Sequence, residues 1–405
     1  MTLIQCFNHS LIENVAVCLR LQPDKLILLG NGEEASVAAG CYEKVFALRK
    51  LTVPIAYLDN REKSLKTLTA DLSATLETEA SCVIDLTNGD ETELLAMGGA
   101  LAGFSKKTDI CVIKYDAPED KITCLHGQPR IAAPTAELSV HELVLLHGGV
   151  VHPNSYQPPK EFTISDLNPL WSLVCKDPKE WNHTLAVLAE FESRSKSKTE
   201  IDLSVSKLSS DIQDFGTKEQ TIRELLEALH NRGIIHNQSS HSRLRYTYTS
   251  PVYRYCMQKA GNMLEMKVLL ESRKIRLDGK PYFTDCLTSV SIDWDGLPHR
   301  ADENTPDTRN EVDVVLVHGL TPLFISCKNG SVDDEELYKL YTVAQRFGGP
   351  RARKMLVLTD LDRGSPKADL SYTQRARDMG IHLVAEGAAL KDSASWQEHI
   401  LKALK

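Results

Sequence analysis

The feature that most constrains this chain is the rhythm of its first 130 or so residues, where short apolar runs alternate with amphipathic stretches. LIQCF (3–7), KLILLG (25–30), PIAYLD (54–59), CVIDL (82–86) and DICVIKY (109–115) read as strands. NVAVCLRL (14–21), EEASVAAGCYEKVFALRKL (33–51) and ETELLAMGGALAGF (91–104) carry helical spacing between them. Strand–helix–strand alternation with short connections predicts a parallel, doubly wound α/β sheet. Ligands of such sheets sit beyond the carboxyl ends of the strands, near the point where strand order reverses.

Beyond residue 132 the rhythm changes twice. Residues 133–250 turn helical and looser, with HELVLLHGG (141–149), a polar Ser/Lys-rich linker ESRSKSKTE (192–200) and KEQTIRELLEALHNRG (218–233). IIHNQ and RLRYTYT follow, suiting a β-wing behind a helix. Residues 251–405 then read as a compact α/β unit with antiparallel strands at its centre. A helix, GNMLEMKVLLESRKI (261–275), precedes the strands CLTSVSIDWDG (286–296), EVDVVLVHG (311–319) and LFISCK (323–328). A helix EELYKLYTVAQRFGG (335–349), a strand KMLVLTDL (354–361) and a helix YTQRARDMG (372–380) follow.

At 405 residues the chain is long enough for two or three domains. Its net charge of −8 disfavours coating nucleic acid by bulk electrostatics, so phosphate binding must be local. No run approaches the roughly 18 apolar residues of a membrane span, and MTLIQCFNHS lacks the basic start of a signal peptide. The 10 cysteines show no CxxC and no zinc spacing, and read as buried, reduced thiols of a cytoplasmic protein.

The chemistry concentrates in EVD (311–313) and SCK (326–328), on strands one hairpin apart. Strict alternation puts Glu311, Asp313 and Val315 on one face, and Ser326 and Lys328 together with Cys327 opposite. Carboxylates inside a small sheet are costly unless compensated, and a divalent cation would compensate them. Oxygen ligands beside a lysine suit Mg²⁺- or Mn²⁺-dependent phosphodiester hydrolysis. Glu265, on the preceding helix, is a further carboxylate able to face this cluster.

This arrangement resembles the PD-(D/E)xK nucleases: helix Glu (Glu265), hairpin Asp (Asp313), then (D/E)xK ending at Lys328. The departure is Ser326, where an acid is expected. The implied metal set is Asp313, Glu265, Glu311 and the backbone carbonyl of Cys327, and the implied catalytic set is Asp313, Lys328, Glu265 and Ser326. Together with GNMLE, HELVLLHGG and ELYKLYTVAQRFGGPRARKMLVLTD, most of the chain resembles CRISPR ancillary nucleases. These fuse an N-terminal CARF domain, a Rossmann-like sensor of cyclic oligoadenylate, to a C-terminal PD-(D/E)xK domain of restriction-endonuclease type. The resemblance implies a sensor at 1–132, a helical, winged-helix-like linker at 133–250 and a nuclease at 251–405. It also implies a homodimer activated by cyclic tetra-adenylate.

In the sensor, Asn8, His9 and Ser10 follow the first strand, and Thr87, Asn88 and Gly89 follow the fourth strand at a helix N-terminus. All six stand where polar groups would meet a nucleotide. GNGEEA (30–35) matches a dinucleotide fingerprint, but it follows the second strand, and its two glutamates would oppose a pyrophosphate. HGG (147–149) has no nucleophile elbow to accompany it and suits a helix cap. Arg243, Arg245, Tyr246 and Arg254 lie in a basic, aromatic stretch open to two readings: contact with single-stranded nucleic acid, or packing at a domain junction.

The expectation is therefore a ligand-activated, metal-dependent nuclease acting on single-stranded RNA or DNA, with nicking of duplex DNA a further activity in reach, in type III CRISPR defence. Its rivals are a ligand-responsive transcriptional regulator with a dead nuclease fold, which Ser326 favours, and a dinucleotide-dependent oxidoreductase resting on GNGEEA.

Overall fold

The computed structural model describes residues 1–7, 11–103, 109–153, 155–174, 178–197, 200–296, 308–330, 332–361, 364–385 and 392–405. Asn8, His9 and Ser10 lie outside them. The first sheet holds β1 (Thr2–Cys6), β2 (Lys25–Gly30), β3 (Ile55–Asp59), β4 (Ser81–Asp85), β5 (Asp109–Asp116) and β6 (Lys121–His126). Its connecting helices are α1 (Leu11–Leu21), α2 (Gly32–Leu48), α3 (Leu65–Thr78) and α4 (Glu91–Ala102). The strand order is β3-β2-β1-β4-β5-β6, with β1 to β5 parallel and β6 an antiparallel edge.

Alternation decides the layers. Leu3, Leu26, Leu28 and Val83 face α1 and α2, while Ile4, Ile27, Cys82 and Ile84 face α3 and α4. With both faces covered, β1 is buried throughout, which is why it reads as a nearly continuous apolar run. Strand order reverses between β1 and β4. There Asp90 caps α4 and Glu93 caps back, a reciprocal pair that fixes the turn holding Gly89.

The chain continues through α5 (Val140–Leu146), β7 (Val150–Val151), α6 (Ile164–Val174) and α7 (Pro178–Glu192). Then come β8 (Glu200–Ser204), α8 (Val205–Asp211), α9 (Phe215–His230), β9 (Ile235–Asn237) and β10 (Arg243–Tyr248). These last three strands form a small antiparallel sheet, β8-β10-β9, beside α8 and α9. The stretch 140–151 does not stand apart with them. β7 pairs with the C-terminal sheet at Ile292 and Asp293, and Asp285 accepts from the first turn of α5 (Val140 N, 2.9 Å). Arg49, at the end of α2, ion-pairs with Glu142 of α5, so this helix is wedged between the two large sheets.

The remainder comprises α10 (Pro251–Gln258), α11 (Ala260–Lys274), a short hairpin of β11 (Arg276–Leu277) and β12 (Lys280–Pro281), β13 (Asp285–Asp293), β14 (Arg309–His318) and β15 (Thr321–Lys328). It closes with α12 (Glu335–Gly348), β16 (Arg353–Leu358), α13 (Pro366–Asp378), β17 (Ile381–Val384) and α14 (Ser393–Leu404). The second large sheet runs β17-β16-β15-β14-β13-β7, parallel from β17 to β15 and antiparallel from β15 to β7. α11 and α14 pack on one face, α5 and α12 on the other.

Two departures from the sequence reading matter here. The cysteines are not uniformly buried, since Cys124 is exposed and Cys41 half-buried, although all those described are free thiols. Strict alternation also fails on β14: Val312 and Val315, three residues apart, both join the core beneath α12. The neighbouring strand is irregular at the same level. Ser289 has φ +48°, a left-handed backbone that breaks the pleat, and the ladder passes from Thr288–Val314 to Val290–Val312 without a pair between. Asp313 faces that break.

Candidate active site and ligand cavity

The ladder between β14 and β15 stops at Val314–Ile325, so the two strands diverge and Asp313 sits in the fork. From β15, Ser326 donates to Asp313 Oδ2 (3.1 Å), and the Cys327 N–H donates to the same oxygen (2.6 Å). Lys328 Nζ stands 3.8 Å from Asp313 Oδ2. The hairpin thus brings Asp313, Ser326 and Lys328 together, with the Cys327 thiol buried on the far side.

One member of the cluster was missed by sequence reasoning. Glu336, in the first turn of α12, accepts from Ser326 Oγ at 2.7 Å and ion-pairs with Lys328 at 3.2 Å. Ser326 and Lys328 therefore each bridge the same two carboxylates. The DDEE run at 333–336 was the available signal, but acids there also suit a helix N-terminus on dipole grounds alone.

Glu265 approaches from α11, a helix buried on every side from Asn262 to Ser272. Charges in such a helix need partners. Lys267 and Glu271 pair with each other at 3.0 Å, whereas Glu265 accepts from Ser289 Oγ at 3.2 Å, and Ser289 is in turn joined to the Tyr255 hydroxyl. Burial, reinforced by the charges of Asp313 and Glu311, pushes the Glu265 carboxyl up to about 8. Burial also raises the pKa of Asp313. It opposes the charge of Lys328, but Asp313 and Glu336 outweigh it and hold that pKa above the ordinary lysine value. Glu311 is exposed at the mouth of a small cavity of about 20 Å³, shared with Asp313, Ser326, Glu336 and Lys339.

Among the described residues, no three His, Cys, Asp or Glu side chains converge as a closed metal site does. Ser326 and Lys328 occupy the space between the acids. The donor chemistry nevertheless fits a hard divalent cation: the side chains are carboxylates, and two of them are buried with their charge poorly compensated.

At the other end of the molecule, a cavity of about 370 Å³ opens past the carboxyl ends of β1, β2 and β4. Phe7, Gly30, Asn31, Glu34, Asn60, Gly89, Asp90 and Glu93 line it. Gly89 is on this wall with φ +125°, and a Cβ there would lie 2.7 Å from Cys6 Sγ, so glycine is required. Thr87 is a correction. Its hydroxyl bonds to Asp85 and accepts from Tyr115 N (2.8 Å), which turns it into the fold and away from the cavity. Asn88 donates to Asn14 Oδ1 at 2.6 Å. Asn31 and Asn60 are wall residues that the sequence reading passed over. Asn31 caps α2, and Asn60 donates to Glu93 Oε1 at 2.6 Å.

The basic, aromatic stretch resolves toward packing. Tyr246 is 2 % exposed and its hydroxyl donates to Glu192 (2.7 Å), so its ring is not available to a base. Arg243 pairs with Asp202 (2.7 Å) and Arg245 with Glu200 (2.5 Å), both across the β8–β10 ladder. Arg254 is half-buried, with its Nε enclosed and without a hydrogen-bond partner.

No family model matches the chain, and no curated protein matches it by sequence. Solved structures do. Protein VC1899 from Vibrio cholerae overlays with a TM-score of 0.72 at 17% identity, covering 100% of this chain and 98% of that one. Can2 from Sulfobacillus thermosulfidooxidans, in complex with cyclic tetra-adenylate, overlays with a TM-score of 0.62 at 14% identity, covering 100% and 97%. A type III CRISPR defence DNA nuclease activated by cyclic oligoadenylate overlays at 0.49 and 15% identity, over 90% of this chain and 46% of its own length. The class defined by the fold is thus a mixed α/β protein with a parallel, Rossmann-like sheet, sharing its fold with Can2 and VC1899 over the full chain. At these identities the likenesses show a shared fold.

Proposed function

We propose that this chain is a cyclic-oligoadenylate-activated, metal-dependent nuclease of type III CRISPR defence. The observation that carries the reading is the hairpin cluster: Asp313 in a strand fork, bridged to Glu336 by Ser326 and Lys328, with Glu265 behind it. In this reading residues 1–132 are the CARF-type sensor, 133–250 a helical, winged-helix-like connection, and 251–405 the PD-(D/E)xK unit. The protein works as a cytoplasmic homodimer. Among the described residues no helix is long and apolar enough to cross a membrane.

Mg²⁺ or Mn²⁺ at the cluster would polarise the scissile phosphate of single-stranded RNA or DNA. Asp313 and Glu265, with Glu311 at the mouth and the Cys327 carbonyl alongside, are the groups that would hold it. Lys328, kept protonated by its two carboxylate neighbours, orients the phosphate or the attacking water through its charge and does not take a proton from it. Ser326 sets the spacing of the acids on either side of it.

Cyclic tetra-adenylate is the activator because Can2, which shares the fold, was solved in complex with it. A two-fold ligand on a dimer axis touches each protomer identically. Activation follows if the ligand binds the active arrangement more tightly than the idle one. Thermal melting tests the sensor half. Cyclic tetra-adenylate should raise the midpoint while NAD(H) leaves it unchanged, and a shift with NAD(H) alone would contradict the proposal.

A further inference from the structure

The usual pattern of this fold's nuclease motif puts an acid two residues before the lysine, and here that position is Ser326. A serine hydroxyl is a weak ligand for a hard cation, which on its own argues for a crippled site. The geometry around Ser326 argues otherwise. Its hydroxyl hydrogen-bonds a carboxylate on each side, Asp313 at 3.1 Å and Glu336 at 2.7 Å, and Lys328 lies within 3.8 Å and 3.2 Å of the same two groups. A carboxylate therefore does stand beside position 326. It arrives from another element.

We infer that Glu336 is the displaced acid of this active site: a metal-facing catalytic residue, carried on α12, that takes the place of the carboxylate missing at Ser326. This rests on the nuclease reading given above. Three observations support it. The Glu336 side chain is 15% exposed, so its charge is directed inward at the cluster and not to solvent. It lines the same small cavity as Asp313, Ser326 and Glu311. Its neighbours in the acidic run behave differently: Asp334 pairs with Arg375 on the outside of the helix, and Asp333 accepts from the Glu336 N–H at 3.2 Å, which supports the first turn.

The role of Ser326 changes accordingly. With an acid already on α12, a second at 326 would put a further negative charge within hydrogen-bonding distance of Glu336 and Asp313, and like charges that close are unfavourable. The hydroxyl fills the gap with its single proton shared between the two acids and adds no charge, leaving Glu336 to face the cation.

The test is Mn²⁺ binding to the full-length protein by titration calorimetry, free of any requirement for cleavage. Glu336→Gln keeps shape and hydrogen-bonding capacity but loses the charge, and should weaken Mn²⁺ binding by roughly ten- to a hundredfold or more. The double variant Ser326→Glu with Glu336→Gln, which returns the acid to the usual place, should recover binding that Glu336→Gln alone lost. Recovery also shows that the single variant failed through its ligand and not its fold. A Glu336→Gln protein that binds Mn²⁺ as the parent does overturns the assignment and leaves the nuclease reading intact. A parent that binds neither Mn²⁺ nor Mg²⁺ overturns both.

Discussion

Both large sheets of this molecule carry a group of enclosed carboxylates, yet the two regions partner those groups differently. Where strand order reverses in the sensor sheet, Asp85 and Glu93 meet neutral donors. Asp85 accepts from Gln5 and Thr87, and Glu93 from Asn60 and the Asp90 N–H. At the hairpin sheet the acids crowd one another, with a single lysine between Asp313 and Glu336 and with Glu265 repelled by both Asp313 and Glu311. The first arrangement gives its acids amide and hydroxyl donors and suits recognition through amides and backbone groups. The second is electrostatically unfinished, and a divalent cation would finish it.

The largest effect should come from breaking the unfinished side. Lys328→Ala, like Asp313→Ala, should lower metal-dependent cleavage of single-stranded substrate by about a thousandfold or more, since electrostatic groups at a reacting centre contribute on that scale. Ser326→Ala should retain activity within about tenfold. Equal loss in all three variants would mean that the serine is itself part of the chemistry.

A pH titration of stability in the presence of a chelator sharpens the comparison next. The folded Glu265 carboxyl is held at about 8, above its unfolded value, so the native state binds the extra proton. Stability is then greatest below the unfolded pKa and falls as pH rises from about 4.5 toward 8, by a few kcal/mol at most. Glu265→Gln should flatten that fall, and saturating Mn²⁺ should offset it. A parent and variant with identical pH profiles would show that the carboxyl is not perturbed.

On the sensor side, Gly89→Ala meets both a left-handed φ and a 2.7 Å contact with Cys6 Sγ. The cost should be about 1–3 kcal/mol, read as a lowered thermal midpoint, together with weakened binding of cyclic tetra-adenylate. The smallest effect belongs to the surface pairs. Arg245→Ala removes an exposed ion pair with Glu200 and should cost under about 1 kcal/mol, with no change in binding of single-stranded nucleic acid.

What the sequence made legible followed from periodicity. LIQCF and KLILLG read as buried strands because nearly every position on them is apolar and enclosed. Asp313 and Lys328 were found because a hairpin fixes which residues on adjacent strands can meet. Tyr246 could have been placed the same way, since alternation in RLRYTY puts Leu244 and Tyr246 inside and both arginines outside. The misses lie where a local pattern does not fix direction. Nothing along the chain says that the Thr87 hydroxyl turns toward Asp85, or that Ser289 breaks the pleat opposite Asp313. Glu336 is the strongest case. In sequence it is one of two acids in a first helical turn, and only the packing of α12 over β15 brings it to Ser326.

The central claim, that one end senses a nucleotide and the other cuts under its control, is tested most directly by a cleavage assay. Labelled single-stranded RNA and DNA are incubated with Mn²⁺, with and without cyclic tetra-adenylate, beside Asp313→Ala. The account predicts cutting that requires the ligand and disappears in the variant. Cutting that ignores the ligand, or that survives in Asp313→Ala, would contradict it.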